Sequence, residues 1–171
     1  MPVNGKAKGN NGERILAKIL SDHLGGSFIR VPSSGAFIGG KNQVRKDTLS
    51  VTQIRSSKGD IIPPDDYPHL VVECKFYKDL AYHSLAVDQS VALLDGWMKE
   101  LDFDCDDTDF GILCFKTNNR KWSVSFKAKY LHHFKIGIHV VYGDWIITGL
   151  ENFLAQNQAQ IKALSNGDTN V

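Results

Sequence analysis

The chain has 171 residues, 42% of them hydrophobic and 23% charged, and a formal net charge of +1. That length suits one domain with a real core and is too short for two, and the composition is that of a soluble globular protein. No apolar run approaches the roughly 18 residues that a membrane helix needs, so no membrane partner is expected.

The N-terminal MPVNGKAKGNNGER lacks the apolar core of a secretory signal, so an intracellular, cytoplasmic location is expected. Cys74, Cys105 and Cys114 are odd in number and have no Cys-x-x-Cys spacing, which argues against a disulfide framework or a zinc knuckle. The adjacent His132 and His133 have no partners at metal-site spacing and read as structural or surface residues. The small net charge conceals segregation. Residues 1–58 carry ten Lys/Arg against three acids, residues 59–171 ten against sixteen, and residues 110–143 six against none. Two basic regions around an acidic middle suit a polyanionic partner, although charge runs are also ordinary solvated faces.

The first ten residues, rich in Gly, Asn and Lys, read as flexible, as do residues 165–171. Asn10 or Asn11 is a suitable cap for a first helix, in which Ile15, Leu16, Ile19, Leu20 and Leu24 make an apolar stripe. Glu13 falls at the N-terminal end of that stripe, either as an ordinary first-turn acid or as an acid aimed at a sheet edge. A strand over Ser27–Val31 contains Arg30, whose guanidinium suits a bidentate phosphate grip, and runs into Pro32-Ser33-Ser34-Gly35. That turn either only reverses the chain or holds a phosphate with Ser33 and Ser34. Residues 36–58 form a long basic loop with Lys41, Arg45, Lys46, Arg55 and Lys58, which suits contact with a nucleic-acid backbone.

Next come Lys58-Gly59-Asp60 and Val71-Val72-Glu73-Cys74-Lys75. Side chains alternate along a strand, so Glu73 and Lys75 share a face. Asp60 opens the apolar Ile61-Ile62, and Pro63-Pro64-Asp65-Asp66 is a turn that folds the two segments together and brings the Asp60 and Glu73 carboxylates close. Clustered carboxylates repel unless a hard cation such as Mg²⁺ sits between them; Glu13 is the third candidate ligand. Lys75 then orients or activates a water, or stabilises charge on a phosphate. The plain alternative is a solvated Glu-x-Lys ion pair.

A helix is expected from about Ala81 to Leu101, with Leu85, Leu93 and Trp97 in one row and Val87, Val91, Leu94 and Met98 beside it. Gln89 lies in the first row, aimed at the sheet. Asp102, Asp104, Asp106, Asp107 and Asp109 form an acidic loop without the Gly and closing Glu of a calcium loop. Gly111–Lys116 and Lys121–Lys127 read as a hairpin, with Trp122, Val124 and Phe126 on a buried face and Ser123, Ser125 and Lys127 on a wet one. Another strand is expected near His139–Tyr142. Thr148 and Glu151 make a capping box for a last helix carrying Leu150, Phe153, Leu154, Ile161 and Leu164.

In combination these parts resemble the PD-(D/E)XK nuclease superfamily and, within it, the archaeal-type Holliday junction resolvases. The features carrying the likeness are a helix with Gly12-Glu13-Arg14, Arg30 running into Ser-Ser-Gly, Gly59-Asp60, the Glu73-x-Lys75 strand and a helix bearing Gln89. The resemblance implies a single α/β domain with a central mixed β-sheet flanked by helices, a restriction-endonuclease-like core. It implies Glu13, Asp60 and Glu73 as metal-site acids, Lys75 as catalytic lysine, and Ser34 and Gln89 as supporting catalytic residues. Arg14, Arg30 and Ser33 are then DNA contacts, joined by the basic loop and by Lys116 and Arg120. The implied reaction is Mg²⁺-dependent hydrolysis of DNA, with Mn²⁺ as a possible substitute. A four-way junction as substrate implies a homodimer, because resolution needs two matched nicks. The alternatives are a related nuclease cutting duplex, flapped or damaged DNA, and a DNA-binding module without catalysis. The length of residues 36–58 and the acidic loop at 102–109 depart from the resolvase pattern.

Overall fold

The two longest strand-forming runs, β3 (Leu70–Tyr77) and β4 (Phe110–Thr117), lie side by side and parallel at the centre of a seven-stranded mixed sheet. In this computed structural model residues 5–32, 58–87 and 89–168 are described. Both strands are buried over most of their length, β3 opening only at its Lys75–Tyr77 end, as expected for strands covered on both faces. The remaining strands are β1 (Ile29–Arg30), β2 (Ile61–Ile62), β5 (Ser123–Lys127), β6 (His139–Tyr142) and β7 (Trp145–Gly149). The spatial order is β1-β2-β3-β4-β5-β7-β6, and every neighbouring pair except β3–β4 is antiparallel. This is the expected α/β architecture with a restriction-endonuclease-like mixed sheet.

Helices cover the two faces separately. α1 (Gly5–Leu24) and α4 (Leu150–Ser165) share one face, where Leu16, Leu20, Leu154 and Ile161 pack with Val72, Cys74, Ile112 and Val124. The crossover between the parallel strands supplies the short α2 (Tyr82–Leu85) and then α3 (Ala92–Asp104). Leu94, Trp97, Met98 and Leu101 of α3 pack on Val71, Leu113, Phe115 and Ile147 of the opposite face. Side-chain alternation along β3 therefore assigns Val72 and Cys74 to the α1 side and Val71, Glu73 and Lys75 to the α3 side.

Several elements differ from the sequence reading, each for a tertiary reason. α1 begins at Gly5 rather than at the Asn10 or Asn11 cap, so residues 5–10 are helical and Glu13 lies well inside the helix. Lys8 secures this early turn by donating to the Tyr77 carbonyl at 2.8 Å and to Asn118 Oδ1 at 2.6 Å, with its ammonium 4.4 Å from the Phe76 ring. The single helix expected over 81–101 is two helices, and Gln89 lies exposed between them. Tyr142 explains the late start of α3: its hydroxyl accepts the Val91 N–H at 2.7 Å and donates to Asp95 Oδ1 at 2.6 Å, capping the helix from a distant strand. Val87 and Leu93, expected in apolar rows, are consequently exposed.

The capping box also gives way to a strand. Trp145–Gly149 pairs with both β5 and β6, so Thr148 sits in β7, donates to the Ile138 carbonyl at 2.9 Å, and Gly149 caps α4 without a side-chain bond. The buried face of the last helix is as expected, with Leu150, Phe153, Leu154, Ile161 and Leu164 all enclosed. Ser125 is not on a wet face. It is fully buried between Leu113 and Ile147 because the α3 layer covers that side, and among the described residues its hydroxyl alone is a buried polar side-chain atom without a partner. An unpaired buried hydroxyl costs about 1–3 kcal/mol. Ser125→Ala is therefore expected to stabilise the protein by about 1 kcal/mol, read as a rise of roughly 2–4 °C in thermal unfolding.

Candidate active site

Asp60 and Glu73 meet where the β2–β3 ladder ends. Ile61 pairs with Val72, and this antiparallel register sets Asp60 opposite Glu73. Asp60 is tied on three sides. Its N–H donates to the Val72 carbonyl at 2.9 Å, its carbonyl accepts the Val31 N–H at 2.9 Å, and its Oδ2 accepts the Cys74 N–H at 2.9 Å. The last bond substitutes a carboxylate for the strand partner that the two-residue β2 no longer provides.

Gly59 makes this approach possible. Its φ is +64°, and a Cβ there would lie 2.5 Å from the Val72 carbonyl oxygen, so both the turn and the contact require glycine.

On the α3 face, Lys75 Nζ lies 2.7 Å from Glu73 Oε1 and 2.6 Å from Glu100 Oε2 of α3. The expected common face of Glu73 and Lys75 is thus observed. Burial and the neighbouring Asp60 charge push the Glu73 carboxyl up to about 8, even with Lys75 beside it. Asp60 is also raised, chiefly by burial and further by Glu13, although the Cys74 N–H favours its charged form. Burial works to lower the Lys75 ammonium, but Glu73 and Glu100 outweigh it and hold the group well above the usual lysine value.

Glu13 comes from α1, which covers the opposite face. It is buried and accepts from Arg30 Nε, while Arg30 Nη2 donates to Asn10 Oδ1 at 2.8 Å. Asp60 lies between the two faces, feeling the charge of Glu13 from one and adjoining Glu73 on the other. Among the described residues no three His, Cys, Asp or Glu side chains gather into one metal-holding group. The donor set that fits a hard divalent cation is the Asp60–Glu73 pair, two oxygen donors whose mutual repulsion a cation relieves.

The other sequence candidates divide clearly. Arg14 and Arg120 are exposed, and Lys116 is half-buried with its ammonium 5.6 Å from the Phe76 ring. Arg30 is engaged with Glu13 and Asn10. Lys58 bonds Asp106 at 2.7 Å and Asp109, two members of the acidic loop. Gln89 is exposed in the link between α2 and α3. Ser33, Ser34, Lys41, Arg45, Lys46 and Arg55 lie outside the described residues.

Sequence reasoning gave Asn10 only a capping role, not its bond to Arg30, and passed over Glu100. Glu100 carried a usable signal, since it adjoins the buried Trp97–Leu101 stripe on the crossover helix that packs back against β3.

A pair of acids at the ladder end of a mixed sheet, with Glu-x-Lys on its central strand, is the arrangement of a PD-(D/E)XK nuclease core. The chain belongs to the family described as "Phage putative PDDEXK endonuclease", whose model matches residues 4–163. Protein D14 of Escherichia phage T5 is 27% identical over 132 residues, spanning 75% of this chain and 74% of that protein. No solved structure matches the chain significantly. The family is one of nucleases, with DNA as the implied substrate and divalent metal ions in general use across the superfamily. No helix among the described residues is long and apolar enough to cross a membrane.

Two outcomes follow from this geometry. The raised Asp60 and Glu73 carboxyls bind protons more tightly in the folded than in the unfolded protein, so without metal its stability falls as pH rises from the ordinary carboxyl range to about 8. Lys75 stays charged throughout that window. Asp60→Asn keeps an acceptor for the Cys74 N–H while removing the repulsion. In chelator at pH 8 it should unfold a few degrees higher than the wild type, by about 1 kcal/mol, with a smaller gain at pH 5. Gly59→Ala should do the reverse, costing about 2 kcal/mol in chemical denaturation because it forces an L residue into a left-handed turn against Val72.

Proposed function

We propose that the chain is a divalent-metal-dependent, structure-specific DNA endonuclease that resolves four-way (Holliday) junctions by paired phosphodiester hydrolysis as a homodimer. Mg²⁺ is the proposed ion, with Mn²⁺ as a substitute. The observation that carries this reading is the opposition of Asp60 and Glu73 across β2–β3, with Lys75 Nζ 2.7 Å from Glu73.

In this reading Asp60 and Glu73 hold the cation, and the main chain around Asp60 keeps its carboxylate from turning away. A bound divalent ion supplies Lewis acidity toward the scissile phosphate and the attacking water. Lys75 contributes a fixed positive charge beside that phosphate, where charge accumulates during hydrolysis. Arg30 fixes the Glu13 carboxylate, and Glu13 adds negative potential behind Asp60 from the opposite face of the sheet. Ser34 keeps a supporting catalytic role in the proposal. Gln89 is given none, because it is exposed in the link between α2 and α3 and not on a helix facing the sheet.

Phosphate contact is assigned to Arg14, Lys116 and Arg120, together with Ser33, Lys41, Arg45, Lys46 and Arg55. Arg30 and Lys58 have internal carboxylate partners, so their guanidinium and ammonium act first on this protein's own acids. Binding of this kind weakens steeply with added salt, because each neutralised phosphate releases counterions.

A second reading has a specific observation behind it. The family description names an endonuclease and no junction, which favours a related enzyme that cuts linear, flapped or damaged DNA.

The deciding measurement compares cleavage of a four-way junction with that of a linear duplex of the same sequence, with Mg²⁺ and with chelator. Resolution predicts paired nicks in the junction only, dependent on the ion; equal cutting of the duplex supports the second reading. Glu73→Ala should lower cleavage at least about 100-fold while sparing DNA binding. Unchanged cleavage in that variant would overturn the assignment of this site.

A further inference from the structure

Lys75 is held by two carboxylates that have different obligations. Glu73 is buried beside Asp60 and belongs to the proposed metal pair. Glu100, on α3, is 2.6 Å from the same ammonium, and 58% of its side chain is exposed. It therefore adds little to the core, and a solvated ion pair adds little to stability. Its position matters for another reason.

An oxygen of Glu73 that binds a cation is a poorer acceptor for Lys75. The Lys75 side chain is only 19% exposed, so its ammonium would then face a divalent charge with one of its two counter-ions drawn away. Like charges at such separations repel strongly where water is scarce. A second carboxylate, supplied to the ammonium by α3, removes both difficulties: it neutralises the lysine and holds it when Glu73 turns to the cation.

We propose that Glu100 is a positioning residue that retains the Lys75 ammonium when Glu73 is given to a divalent cation, so that metal and lysine occupy the site together. The inference rests on the nuclease reading above and adds to it a residue outside the Asp-Glu-Lys set. Glu100 touches neither DNA nor the reacting atoms in this account; it acts through Lys75.

The test is calorimetric binding of Mn²⁺ alone to the full chain, without DNA, for the wild type, Glu100→Gln, Lys75→Met and the double variant. Junction and duplex cleavage and thermal unfolding are measured alongside. Glu100→Gln should weaken Mn²⁺ binding by about tenfold, the scale of loss seen when a group supporting metal ligands is removed. Turnover should fall while the KM for DNA and the unfolding temperature hold. In the Lys75→Met background the same change should alter Mn²⁺ affinity by less than about twofold, because a residue acting through another loses its effect when that other is gone. Glu151→Gln, which removes an acid from the first turn of α4, should leave Mn²⁺ affinity unchanged.

Wild-type affinity and turnover in Glu100→Gln would overturn the proposal, as would an equal loss in both backgrounds, which marks a remote charge effect. A wild type that neither binds Mn²⁺ nor cuts DNA with any divalent ion would overturn the nuclease reading itself. An active wild type with an indifferent Glu100→Gln removes this inference alone.

Discussion

The geometry of the site depends on one hydrogen bond, from the Cys74 amide to Asp60 Oδ2 at 2.9 Å. A strand within a sheet must satisfy its amides on both sides, and β4 does this for β3 along one side in an unbroken parallel register. On the other side β2 is two residues long and its ladder stops at Val72. Asp60 continues the ladder with a side chain in place of a backbone. That substitution fixes a carboxylate in the plane of the sheet at the point where the sheet opens, and Gly59 is the residue that allows the chain to come so close.

An acid in the plane of the sheet can interact with both faces. Glu73, on the α3 side, is near enough to be raised by Asp60, while Glu13 raises Asp60 from the α1 side under the hold of Arg30. Three acids thus influence one another through a central member without forming a single three-ligand cluster. The arrangement is costly for the protein alone, since two of the three carboxyls sit above their ordinary values, and such a cost is characteristic of a site shaped for a positive partner.

Much of this was legible in the sequence because it follows from local rules. Alternation along Val71–Lys75 puts Glu73 and Lys75 on one face, and the Pro-Pro-Asp-Asp turn between two apolar segments brings Asp60 back to them. The misses come from distant contacts. Helical periodicity runs through Leu85, Val91 and Leu94, but it cannot reveal that Tyr142 caps a new helix at Val91, so Gln89 was misplaced. The Thr148-x-x-Glu151 spacing resembles a cap, but Trp145, Ile146 and Ile147 gain more by pairing between β5 and β6. Ser125 looked wet because its neighbours alternate, and only the covering α3 layer makes that face dry.

Charge was the least legible property, as Lys58 demonstrates. By sequence it belongs to a basic loop suited to DNA, and Asp102–Asp109 forms an acidic loop without an evident purpose. In the structure each supplies the other's partner. Lys58 bonds Asp106 and Asp109, and Asp109 is buried, also accepts the Asp106 N–H at 2.8 Å, and lies 3.5 Å from His69 Nδ1. Burial acts to lower the lysine's pKa, but the two aspartates more than offset it. Breaking so enclosed a pair strands a charge, which makes it a firmer tether than a surface bridge. Lys58 immediately precedes Gly59 and Asp60, so the acidic loop at the entrance to β4 anchors the chain one residue before the left-handed turn at Gly59. The charge segregation that suggested a polyanion partner is therefore partly spent on holding Asp60 in place, and the basic surface left for DNA is smaller than a count of lysines and arginines suggests.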